Sequence, residues 1–158
     1  RFIICIKEKR YDLEFRYTFV SICRSFLWRK SDDEIFQYFC NNSFLESDLY
    51  LKCVSFVPLL DSMNLSSFFY HLLEEFQYDQ KLWEIGDVKK GRIREEYLYQ
   101  FCQNYEQLGF SIYDFVHYLN DIYEDDYDLR FQANVSGLNS CQIMTIHKSK
   151  GLEFPICY

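Results

Sequence analysis

Residues 141–158 read Cys141-Gln-Ile-Met-Thr-Ile-His-Lys-Ser-Lys-Gly-Leu-Glu-Phe-Pro-Ile-Cys-Tyr158, and here the grammar of the chain changes. Cys141 to Ile146 is short and rich in β-formers, which predicts a buried strand. His147 to Glu153 is polar and long enough for one helical turn. Phe154 to Tyr158 predicts a second strand, with Pro155 tolerable at its start. Loops at the carboxyl ends of strands are where open α/β sheets bind ligands. Thr145, His147, Lys148, Ser149 and Lys150 crowd this one. A hydroxyl, an imidazole, ammonium groups and free N–H groups at a helix start suit a phosphate-bearing ligand. Gly151 allows close backbone approach, and Glu153 is placed to accept hydrogen bonds from a sugar hydroxyl. The chemistry alone leaves a plain basic surface turn equally open.

Everything before this segment reads as helix. Only 5 Gly and 2 Pro punctuate 158 residues, so long helices are favoured over many short strands. A first helix is expected over about Tyr11 to Leu27, its apolar stripe running through Leu13, Tyr17, Val20, Cys23 or Arg24, and Leu27. Ser31 and Glu34 have capping-box spacing, so a short helix with Ile35, Phe36 and Phe39 should follow and end near Asn41-Asn42. A third helix runs from about Ser47 through Leu49, Cys53 and Val57, where Pro58 bends or ends it. Asn64 or Ser66 caps a fourth, holding Phe68, Phe69, Leu72, Leu73 and Phe76. Gly86 to Gly91 reads as a polar loop. A fifth helix is expected from about Ile93 to Leu108, with Tyr97, Phe101, Tyr105 and Leu108 on one face and Gly109 beyond its end. Ser111 and Asp114 open a sixth, carrying Phe115, Val116, Leu119 and Ile122. The fold class is therefore mainly α: a helical subdomain at 1–138, followed at 139–158 by the first strand–turn–strand of an α/β domain. The odd ends, Arg1-Phe-Ile3 and Ile156-Cys-Tyr158, suggest an excerpt of a larger protein.

Composition sets further bounds. Hydrophobic residues make up 49% and charged residues 26%, enough apolar surface to offset ordering entropy and to exclude disorder as the main state. Net charge is −7, which taken alone argues against a nucleic-acid binder. That average is uneven. Residues 1–30 hold eight basic side chains against three acidic ones, the acidic excess lies in the rest of the helical block, and His147 to Lys150 is locally basic. No apolar run reaches the length of about 18 residues needed to span a membrane, and no signal peptide is recognisable. The seven cysteines form no CxxC and have no His pair at zinc spacing, so buried reduced thiols are expected rather than a metal site.

Other chemistry finds little support. Gly86-x4-Gly91 has the glycine spacing of a phosphate loop, but Arg92 and Ile93 stand where Lys and Ser/Thr are needed. His71 shares a helix face with Glu74 and Glu75 without a second ligand pair, and His117 lies among Phe115, Val116, Tyr118 and Leu119. Both read as packing or surface histidines. No Gly-x-Ser-x-Gly is present.

The stretch Met144-Thr-Ile-His-Lys-Ser-Lys-Gly-Leu-Glu-Phe-Pro155 closely resembles motif V of the superfamily-one DNA helicases of the UvrD, Rep and PcrA type. Its variant is most similar to the AddA component of AddAB helicase–nucleases. Val20-Ser-Ile-Cys-Arg-Ser25 followed by Ser31-Asp-Asp-Glu34, and the helices from Arg92 to Leu119, resemble that family more weakly. The Asn-Pro common before the Arg-Ser helix is replaced here by Asp12-Leu13.

The resemblance implies a helical insertion subdomain that swings against the motor and can contact duplex DNA, joined to the start of the second RecA-like motor domain. It implies that Thr145 and His147 meet the single-stranded DNA backbone with Lys148 and Ser149 nearby, that Gly151 shapes the turn, and that Glu153 approaches the nucleotide ribose. It also implies ATP and Mg in the longer protein, a second, AddB-like component, DNA as partner, no membrane, and a cytoplasmic location in break repair. Walker A, Walker B, the arginine-bearing motif VI and a nuclease motif are absent from these 158 residues, so the chain alone should not hydrolyse ATP. Two rivals stay open: a UvrD-type parent, and a helical scaffold whose aromatics form a protein-docking face.

Overall fold

The computed structural model describes residues 1–86 and 88–124, and singly Thr145 and His147. Among them the chain is helical throughout: α1 (Phe2–Lys7), α2 (Leu13–Arg24), α3 (Asp32–Cys40), α4 (Asp48–Val54), α5 (Leu59–Ser62), α6 (Leu65–Glu75), α7 (Tyr78–Ile85), α8 (Val88–Gln107) and α9 (Ile112–Glu124), with a 3₁₀ turn at Phe44–Glu46. The strands expected at 141–146 and 154–158, the 138/139 domain boundary and most of the acidic block after Asp121 lie outside the described residues.

Side-chain caps set most of the starts. Asp12 accepts from Phe15 N at 3.1 Å and opens α2. Ser31 and Glu34 form the expected capping box, with the Glu34 carboxylate accepting from Ser31 N at 2.8 Å and Glu34 N donating to Ser31 Oγ at 3.3 Å. Ser47 caps α4. Asn64, not Ser66, caps α6, accepting from Ser67 N at 3.1 Å. Ser111 and Asp114 cap α9 reciprocally, at 2.8 and 3.3 Å. Each satisfies backbone donors that the first helical turn leaves free.

The core is aromatic, which accounts for the large share of rings. Phe15 meets Phe2 at 5.0 Å and lies within 6.3 Å of Phe44 and Tyr50; Phe19 meets Tyr38 edge-on at 5.6 Å. These contacts bind α1, α2, α3 and α4. A second cluster centres on Phe56, with Phe68 at 6.1 Å and Phe76 at 6.0 Å. A third joins α8 to α9 through Phe101, Tyr105, Phe110, Phe115 and Tyr118, the closest pair being Tyr105 and Phe110 at 4.6 Å. Offset and edge-on ring pairs add about 0.5–1.5 kcal/mol each beyond area burial.

Several expectations need correction. The buried face of α2 is Phe15, Thr18, Phe19 and Cys23, not the stripe through Leu13 and Tyr17, which are 81% and 53% exposed. Both stripes have helical spacing; the one that meets Phe2 and Phe44 is buried. Ahead of it stands α1, an element the spacing does not signal, with Phe2, Cys5 and Ile6 buried. Helix α8 begins at Val88, so Lys89 to Arg92 are helical rather than loop. Helix α7 also lacks a sequence signal, because it starts after Gln77, a left-handed residue at φ +51° with no side-chain cap. Leu108 is exposed beyond α8, and Gly109 turns the chain there at φ +83°.

Candidate functional site

Among the residues expected to carry chemistry, Thr145 is exposed outside any regular element and His147 is exposed in helical conformation. Lys148, Ser149, Gly151 and Glu153 lie outside the described residues. The glycine pair offers no phosphate cradle. Gly91 sits inside α8, buried, and a Cβ placed on it would fall 2.6 Å from Leu82 Cδ1. Its neighbourhood is a helix–helix contact that leaves no room for a nucleotide, so the described residues do not fit ATP. His71 packs its ring 5.5 Å from Phe56. His117 is 83% exposed at its side chain and lies 3.5 Å from Asp121 one turn on. Cys5, Cys23, Cys53 and Cys102 are buried and free, and Cys40 is exposed and free.

The basic excess of residues 1–30 is consumed locally. Arg10 reaches Glu14 at 2.9 Å, Asp12 at 3.4 Å and Glu8 at 3.6 Å. Arg24 pairs with Asp32 at 2.8 Å, Arg29 with Glu84 at 3.1 Å and Lys30 with Glu34 at 2.9 Å. Lys7 Nζ donates to Asp61 at 2.5 Å and to Tyr113 Oη at 2.5 Å, while Tyr113 Oη donates to Asp61 Oδ1 at 2.9 Å. That triangle ties α1, α5 and α9 together. The positive stretch is thus a set of clasps, not an open phosphate-binding face.

Two surface features were not legible in the sequence. The first is a cation–aromatic knot at the end of α6. Lys81 lies 5.3 Å over Trp28 and donates to the Leu27 carbonyl; Lys52 lies 5.3 Å over Phe76 and donates to the Glu75 carbonyl. Burial, then the nearby Lys52, holds the Lys81 ammonium below its usual value. Both ammonium groups cap carbonyls at chain turns, which is structural work. The second is a groove across α6, α7 and α8, formed by two adjoining clefts of about 260 and 400 Å³. They share Tyr70, Leu73 and Glu95 as walls; Tyr78 and Asp79 line one, Phe69, Arg92, Glu96 and Tyr99 the other. These residues come from three helices, so no single stretch announces the groove.

Comparison with curated proteins finds relatives of one kind. The chain is similar to the AddA component of the ATP-dependent helicase/nuclease of Limosilactobacillus fermentum, at 30% identity over 118 residues, covering 70% of this chain and 9% of that protein. The proteins of the same name from Limosilactobacillus reuteri, at 36% identity over 51% of this chain, and Lactobacillus johnsonii, at 28% identity over 72% of it, are covered over 6% and 10% of their own lengths. The chain is AddA-like, and it spans about a tenth of the length of the curated relatives it matches. Neither a protein-family profile nor a solved structure matches it.

Proposed function

We propose that this chain is the helical insertion subdomain of the second motor half of an AddA-type helicase–nuclease, entering at 139–158 the second RecA-like motor domain. The observation that carries the reading is similarity to AddA helicase/nuclease proteins over most of the chain, with the motif from Met144 to Pro155 at its end. The helical architecture and its capped, clasped packing agree with a rigid arm. In this reading the longer protein couples ATP hydrolysis to translocation on single-stranded DNA during break repair in the cytoplasm, beside an AddB-like partner. ATP and Mg belong to segments beyond this one, as the packing of Gly91 against Leu82 leaves no phosphate cradle here.

The chain's own contribution is then to hold DNA. Thr145 and His147, both exposed, would meet the phosphate backbone through a hydroxyl and a ring N–H, with Lys148 and Ser149 beside them. Gly151 shapes the following turn and Glu153 approaches the ribose. In the full-length protein, His147→Ala should reduce the stimulation of ATP turnover by single-stranded DNA at least tenfold; undiminished stimulation would sink the assignment. The isolated chain should show no DNA-stimulated ATP turnover, and any DNA affinity it has should fall with salt as phosphate contacts require.

A further inference from the structure

We infer that the groove across α6, α7 and α8 is a docking site for an arginine-bearing extended segment of a partner protein. Its charge and its rings both point to such an occupant. The walls carry Glu74, Asp79, Glu95 and Glu96 against a single cation, Arg92, which already lies 3.5 Å from Asp79. Glu74, Glu95 and Glu96 make no ion pair among the described residues. Between these carboxylates stand the rings of Phe69, Tyr70, Tyr78 and Tyr99, and Tyr70 is 60% exposed. Aromatic faces framed by unpaired carboxylates match a guanidinium, which stacks on a ring and forks to a carboxylate at once. The same charges repel a phosphate backbone, so nucleic acid is the wrong occupant. Desolvation, reinforced by the nearby Asp79, holds the Glu95 carboxyl above its usual value, and an arriving cation would relieve that cost. Two clefts sharing three walls make a channel long enough for more than one side chain, which favours an extended segment.

The test uses the 158-residue chain and a fluorescein-labelled peptide alternating arginine and alanine, with a glutamine–alanine peptide as control, read by anisotropy at two salt concentrations. The arginine peptide should bind and the glutamine peptide should not. Glu95→Gln with Glu96→Gln should weaken binding about fivefold or more, and Tyr70→Ala should weaken it by a similar factor. Asp33→Asn with Glu46→Gln, outside the groove, should leave it unchanged. Absence of binding at millimolar peptide, or equal losses in both double variants, would overturn the proposal as mere attraction to an acidic protein. Self-association in sedimentation that disappears in Glu95→Gln with Glu96→Gln would overturn it differently, by making a second copy the occupant.

Discussion

Leu82 occupies the space that a side chain on Gly91 would need. A Cβ on Gly91 would stand 2.6 and 2.7 Å from the two Leu82 methyls and 3.2 Å from its Cγ, and Leu82 is buried. This fixes how closely α7 and α8 approach. Gly91→Ala gains about 1 kcal/mol of helix propensity but must displace a packed leucine, at a cost of about 1–3 kcal/mol. The expected outcome is net destabilisation of about 1 kcal/mol in urea melts. In a Leu82→Ala background the clash vanishes and the same change should become stabilising. Stabilisation in the native background would show that the helices are not in this contact.

A second prediction concerns Glu106, which reaches from α8 to the start of α6. Its carboxylate accepts from Ser66 Oγ at 2.7 Å, Ser66 N at 3.1 Å and Asn64 Nδ2 at 2.7 Å. The Ser66 hydroxyl, then the Ser66 N–H, hold its pKa below the usual 4.5. A depressed carboxylate pKa gives stability that is fully present above the unfolded value and lost as pH falls through the folded one. Glu106→Ala should therefore destabilise by about 1 kcal/mol at neutral pH, allowing for solvent exposure, with the gap closing below about pH 4. A gap independent of pH would contradict the charge-assisted clamp.

The contrast between these helices shows what the sequence could carry. Ser31 with Glu34, Asn64, and Ser111 with Asp114 act on backbone groups within three residues, so their spacing alone reveals the starts of α3, α6 and α9. Helix α7 has no such signal, and the basic run Lys89, Lys90, Arg92 looks like loop until Leu82 is seen under Gly91. Helix α2 carries two apolar stripes of equal period, and only the position of Phe2 and Phe44 decides between Phe15 and Tyr17. The motif around His147 is legible as residues, since its chemistry lies in one stretch. The acidic groove is not, because Tyr70, Asp79 and Glu95 meet only after three helices pack.

The capping box of α3 should be visible in a titration. Glu34 accepts from Lys30 Nζ, Ser31 N and Ser31 Oγ, and the lysine first, then the serine N–H, bring its pKa from the usual 4.5 to about 2. Carboxyl-carbon NMR should place this titration lowest among the glutamates. Lys30→Met should move it up toward the ordinary value, and Ser31→Ala should move it less while fraying the first turn. The sign follows as for Glu106: the contribution is intact above about 4.5 and disappears as pH falls toward about 2. A Glu34 titration at the ordinary value would mean that the box is not formed.

Thiol chemistry gives a site-resolved check of the core. Cys40 is exposed, whereas Cys23, Cys53 and Cys102 are buried at 1%, 1% and 0% exposure. Desolvation by burial pushes these three thiols up to about 11, 12 and 11, so almost no thiolate is present near neutrality. The thiolate is the nucleophile, so burial suppresses alkylation twice, through access and through ionisation. Brief treatment with iodoacetamide at about pH 8, read by peptide mass spectrometry, should label Cys40 and leave Cys23, Cys53 and Cys102 unlabelled. Adding urea through the unfolding transition should expose all three together, because they belong to one packed cluster. Labelling of Cys102 well before Cys23 and Cys53 would instead show that α8 and α9 open as a separate unit.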